Sequence, residues 1–154
     1  HELVVYAKNY LDFSVKCEEI ASIKYKGFVS GDDFISALMS VDILIHTESF
    51  LKENVEMTRL SLSTKIADSV NTGKCILAYG PKNIASMDHL EKNNCAHMIY
   101  DLDQLEKELE VLLKDKFLRE SYILKANECA KKYHNSVNNS NILKKTFASI
   151  IEKE

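Results

Sequence analysis

Several things are missing from this 154-residue chain, and each absence removes a class of protein. No run of about 18 apolar residues occurs, so no segment is expected to cross a bilayer. No basic-apolar-small leader precedes the first strand-like run at Leu3, and nothing marks secretion. A net charge of -3 provides no general attraction to nucleic acid or to an anionic membrane, and no basic block precedes the mixed-charge C-terminal third. The four cysteines, Cys17, Cys75, Cys95 and Cys129, lie far apart without a C-x-x-C pair, each in an apolar or helical setting. They are expected to be reduced core thiols of a cytoplasmic protein. His89, His97 and His134 have no Asp, Glu or Cys at ligand spacing, so no metal site and no cofactor are expected. Internal repeats and low-complexity linkers are absent as well.

What is present is an ordinary globular composition. At 45% hydrophobic and 28% charged residues, the chain has enough apolar side chains for one core and the length of one domain. Short apolar segments alternate with helical ones. Strands are expected at 3–7, 23–29, 42–47, 75–79 and 96–100, with helices near 10–20, 32–40, 64–73, 83–93 and 102–114. Leu102, Leu105, Leu109 and Leu112 recur at steps of three and four and form one apolar stripe. Two more helices, at about 116–134 and 138–152, close the chain. This order predicts an α/β fold, a parallel sheet of about five strands flanked by helices, in which ligands bind outside the carboxyl ends of the strands. Those ends fall after Val29, Thr47 and Tyr79. The long irregular segment from Glu48 to Leu62 lies at one of them and is rich in charge.

The densest signal runs from Ser61 to Gly80. Ser63 and Thr64 are good N-cap residues, Lys65 follows in the first turn, and a helix start offers N–H groups suited to a diphosphate. Asp68 is four residues from Thr64, which puts carboxylate and hydroxyl on one helix face, and it is read as an inward acid for vicinal hydroxyls. Gly73 ends the helix, and Cys75-Ile-Leu-Ala reads as a strand covered on both faces before a turn at Tyr79-Gly80-Pro81. His46 ends another apolar strand beside Thr47 and Glu48, where a histidine can hydrogen-bond a ligand.

Three stretches carry a resemblance: Tyr25-Lys-Gly-Phe-Val with Ser30-Gly-Asp-Asp-Phe-Ile-Ser-Ala-Leu, Val41-Asp-Ile-Leu-Ile-His, and Ser63-Thr-Lys-Ile-Ala-Asp-Ser-Val-Asn-Thr-Gly-Lys-Cys-Ile-Leu-Ala-Tyr-Gly-Pro. Over nearly its whole length the chain resembles the C-terminal, donor-binding half of group 1 nucleotide-sugar glycosyltransferases of the GT-B architecture, in which two Rossmann-like domains face each other. The resemblance implies that main-chain groups of Gly27, Phe28 and Val29 touch the base. It likewise implies that Ser63, Thr64 and Lys65 hold the diphosphate and that Asp68, where the family usually has glutamate, holds the ribose. A second family glutamate, eight residues earlier, falls on Leu60. Glu48, Glu53, Glu56 and Arg59 are its stand-ins, with Glu56 and Arg59 taken as the catalytic candidates because they are nearest the helix start, and His46 and Glu48 as donor contacts.

The implied activity is transfer of a hexose-type residue from a nucleotide diphosphate sugar, without metal, to an acceptor glycan or lipid-linked sugar held by an N-terminal domain. That domain and a first βα unit are not in this sequence, so the chain alone is expected to be inactive. The resemblance also implies polysaccharide biosynthesis and leaves open a peripheral place at the inner membrane face. An exposed apolar face on the C-terminal helices would invite self-association. Two rivals are a sugar-nucleotide epimerase of similar architecture, for which His46 speaks, and a non-catalytic flavodoxin-like interaction module. Fold alone does not separate them.

Overall fold

The structure, a computed structural model, describes residues 1–8 and 11–151. It comprises two compact units, His1–Ser40 and Val41–Glu154.

In the first unit, β1 (Leu3–Val5), α1 (Leu11–Glu18), β2 (Ile23–Tyr25) and α2 (Asp32–Met39) follow in order, and the strands pair in parallel with Leu3 opposite Ile23 and Val5 opposite Tyr25. Both strands are shorter than the expected 3–7 and 23–29. Backbone pairing continues through Lys26 N–H to Val5 O (2.9 Å) and Ala7 N–H to Gly27 O (2.9 Å), and ends where Gly27 turns to a φ of 72°. Only glycine adopts that conformation at no steric cost, so the extended run stops there. The Tyr25 hydroxyl locks the same corner by donating to Ala7 O at 2.8 Å. The helix expected near 10–20 is seen from Leu11; residue 10 lies outside the described residues.

The second unit holds a three-stranded parallel sheet in the order β3 (Ile43–Thr47), β4 (Cys75–Tyr79), β5 (His97–Ile99). The five expected strands are thus all present and parallel, but divided between a two-stranded and a three-stranded sheet instead of one sheet of five. β4 is central. Cys75, Ile76, Leu77 and Ala78 are all buried, which explains why this strand reads as an unbroken apolar run rather than an alternating one. Alternation sends Cys75 and Leu77 to one face, where they meet Ile99 and Leu112, with Leu105, Leu109, Leu118 and Tyr122 around them.

Six helices accompany this sheet among the described residues: α3 (Lys52–Thr58), α4 (Thr64–Val70), α5 (Ala85–Lys92), α6 (Leu102–Lys114), α7 (Lys116–Tyr133) and α8 (Ser136–Ile151). The leucine stripe of α6 buries Leu112 fully and Leu105 and Leu109 in part. Leu102, expected in the stripe, is 64% exposed because it is the first helical residue after the Asp101 cap. Asp101 accepts from Asp103 N–H at 3.1 Å, and Asp115 accepts from Leu118 N–H at 2.8 Å to start α7. Arg119 donates to the carbonyls of Leu112 and Leu113, satisfying the end of α6. The segment 48–62 is not wholly irregular. It contains α3, which buries no residue and so carries no apolar periodicity to announce it. α8 buries none either and exposes Val137, Ile142, Leu143, Phe147 and Ile150. No helix among the described residues is long and apolar enough to cross a membrane. The four cysteines are buried and free, as expected.

Candidate functional site

The carboxyl ends of β3 and β4 lie side by side, with Thr47 opposite Tyr79. The chain leaving β3 stays on the sheet for one more residue, since Glu48 N–H donates to Tyr79 O at 2.9 Å, and Gly80 N–H donates to Ile99 O at 3.2 Å. Residues two apart on a strand share a face, so His46 and Glu48 point the same way. His46 Nε2 donates to Glu48 Oε1 at 3.1 Å, with the side chains only 9% and 14% exposed. Room for this pair is made by Gly80. A Cβ there would stand 2.8 Å from Glu48 Cβ and 3.3 Å from Met87 Sδ.

Burial holds the His46 imidazole below its ordinary value; the adjacent Glu48 carboxylate opposes that, and the Lys65 ammonium adds to it. The ring is therefore neutral at neutral pH. With Nε2 carrying the proton to Glu48, Nδ1 is left as an acceptor. Phe50 and Tyr79 cover the neighbouring surface, their rings 5.1 Å apart.

α4 begins beside this pair. Ser63 occupies the expected cap position with an extended backbone, but its hydroxyl makes no cap bond to the helix. Instead the loop before α4 is clamped to the start of α5. Ser63 N–H donates to Ser86 Oγ at 3.0 Å, Ser86 Oγ to Ser61 O at 3.3 Å, and Ala85 N–H to Arg59 O at 2.8 Å. Ser86 is fully buried, so this clamp is rigid and satisfied. Thr64, Lys65 and Asp68 are exposed. Ile66 and Val70 form the buried stripe of α4, and Asp68, two residues from each, lies on the opposite side. The expectation of an inward acid is corrected: Asp68 faces solvent, on the same exposed side as Thr64.

Of the remaining candidates, Glu56 and Arg59 sit on the exposed surface at the end of α3, Glu56 within 3.9 Å of Lys52. Gly27, Phe28 and Val29 follow β2 in the first unit. Phe28 is 63% exposed, with the Lys8 ammonium 5.7 Å from its ring centre. A groove of about 220 Å³ lined by Asp42, Gly73, Lys74, Lys116 and Arg119 lies at the amino ends of β3 and β4, away from the His46 pair. The sequence reading set His46 beside Glu48 as donor contacts but not as a bonded pair; the signal that joins them is their two-residue spacing along the strand direction. It missed the convergence of His89, Cys129 and His134, which are up to 45 residues apart in the chain.

Parallel strands joined by helices, with polar side chains gathered at the strands' carboxyl ends, define a Rossmann-like α/β protein. No protein-family model matches the chain, and no curated protein matches it. Among solved structures it is similar to WaaG, a glycosyltransferase involved in lipopolysaccharide biosynthesis, with a TM-score of 0.65 at 15% identity. The likeness covers 85% of this chain and 34% of WaaG, so the chain spans about a third of that protein's length. At this identity the likeness establishes the fold alone, a Rossmann-like α/β fold shared with part of WaaG.

Proposed function

We propose that the chain is the donor-binding, C-terminal domain of a nucleotide-sugar-dependent glycosyltransferase that works with an acceptor-binding domain in the assembly of a surface polysaccharide. The observation that carries this reading is the coincidence of a WaaG-like fold with a buried His46–Glu48 pair and Lys65 at the carboxyl end of its sheet. In the reaction, the bond between the sugar's anomeric carbon and the diphosphate breaks. A new bond forms to the acceptor hydroxyl, whose proton passes to a base. The chain's part is electrostatic: Lys65 meets the charge that grows on the departing diphosphate. His46 contributes the free Nδ1 of a neutral ring, able to accept from a donor hydroxyl, while Glu48 fixes its tautomer. Asp68, exposed beside Thr64, is the ribose contact.

Isothermal titration with UDP, GDP and inorganic phosphate, repeated on Lys65→Ala, tests the proposal. Selective binding of one nucleoside diphosphate, weakened at least about tenfold in the variant (about 1.4 kcal/mol), is expected. Absence of nucleoside diphosphate binding at millimolar concentration, or binding indifferent to Lys65→Ala, would count against it.

A further inference from the structure

At the opposite edge of the three-stranded sheet, three side chains of metal-binding type meet. α5 leaves the carboxyl end of β4 and runs back, so His89 in its last turn and Cys95 just before β5 lie at the amino end of the strands. α7 brings Cys129 and the residue that ends it, His134, to the same place. His89 Nε2 is 3.0 Å from His134 Nε2 and 3.4 Å from Cys129 Sγ, and the three ligand atoms all lie within 4.8 Å of one another. The Cys95 thiol, fully buried nearby, donates instead to Leu90 O at 3.5 Å.

Hydrogen bonding alone uses these groups poorly. His89 Nε2 faces two partners but has either one proton to give or one lone pair to offer. A neutral imidazole presents one lone pair, and a thiolate offers its sulfur. Three lone-pair donors converging on one point, two nitrogens and a sulfur, are the requirement of a soft tetrahedral cation. The edges of 3.0 and 3.4 Å are near the separation of about 3.3 to 3.6 Å set by metal bonds of about 2.0 to 2.3 Å. Cys129 and His134 form a short-range pair across the end of one helix. Structural zinc sites are commonly assembled from such pairs.

We propose that His89, Cys129 and His134 form a zinc site, with solvent at the fourth position, that ties the end of α5 to the end of α7. Cys129, as a ligand, gives up its proton to solvent, a cost that the metal bonds offset. The site lies at the sheet edge opposite His46 and is independent of the donor-binding reading.

Titration of the reduced chain with Co²⁺ tests it, because tetrahedral cobalt bound by thiolate shows intense visible bands and a sulfur-to-metal charge-transfer band that histidine-only sites lack. One equivalent is expected to produce both, Zn²⁺ to displace the cobalt and raise the melting temperature, Cys129→Ser to abolish the charge-transfer band, and His134→Asn to weaken cobalt binding. Wild-type protein without that band, a band that persists in Cys129→Ser, or cobalt binding undiminished in His134→Asn would overturn the proposal.

Discussion

Replacing Gly80 by alanine probes the candidate site at its tightest point. Gly80 is not in the left-handed region, so an alanine there meets no backbone penalty and the effect is purely steric. The new Cβ would be 2.8 Å from Glu48 Cβ, 3.4 Å from Glu48 N and 3.3 Å from Met87 Sδ. Met87 can swing its sulfur aside. Glu48 cannot yield so cheaply, because its Cβ and amide are fixed by the bond from its N–H to Tyr79 O at 2.9 Å. Overpacking of this kind costs about 1–3 kcal/mol, against which reduced freedom of the unfolded chain returns about 0.4–1 kcal/mol. A net loss of about 1–2 kcal/mol is expected, accompanied by displacement of Glu48 from His46. Urea denaturation measures the first as a lower midpoint at unchanged m value. Proton NMR titration of the histidine reads the second: without the carboxylate that raises it, His46 should titrate lower still. A Gly80→Ala protein as stable as the parent, with His46 titrating as before, would refute the argument that Gly80 makes room for the pair.

The His46 shift also makes stability pH-dependent. Since the folded state holds its imidazole below the unfolded value, the unfolded chain binds the extra proton first on acidification. The stability contribution is complete above the ordinary imidazole value of about 6.5 and is lost as pH falls below it. Urea midpoints measured across that range should decline less steeply for His46→Gln than for the parent, and equal slopes would refute the assignment. In the core, Leu112→Ala removes a fully buried side chain packed on Cys75, Leu77 and Ile99 and should cost about 2–5 kcal/mol. Leu102→Ala, at the exposed end of the same stripe, should stay within about 0.5 kcal/mol; similar losses for both would contradict the packing described.

Legibility in the sequence followed burial. β4 and α6 match the expected 75–79 and 102–114 because each carries a strong apolar pattern, unbroken in one and three-to-four spaced in the other. α3 was unreadable for the converse reason, having no buried face to impose a period. The ends of β1 and β2 were overextended because apolar residues continue past the turn that Gly27 imposes. Asp68 was read as inward from its spacing to Thr64, yet spacing fixes only which residues share a face, and the Ile66–Val70 stripe decides which face is buried. His89, Cys129 and His134 could not be joined from the sequence, since only the return of α7 along the sheet brings them together.

The His46–Glu48 pair bears on function because the fold does not need it. A buried ionisable pair is poor evidence of stabilisation, as apolar residues of similar volume commonly serve as well or better. Here the histidine is held neutral, and a glycine is required beside the glutamate at a 2.8 Å approach. Neither constraint improves the core, which lies below it around Cys75, Leu77, Ile99 and Leu112. Both are explained if a polar group must stand in a fixed orientation at the carboxyl end of the sheet, where a ligand of this fold binds. His97 is the contrasting case. It is equally buried, but Glu108 at 3.0 Å and Tyr122 at 3.3 Å engage both ring nitrogens, so no acceptor remains for a ligand. His46 keeps one nitrogen uncommitted, and that difference, more than burial or pairing, separates a histidine that can serve a substrate from one that completes the packing.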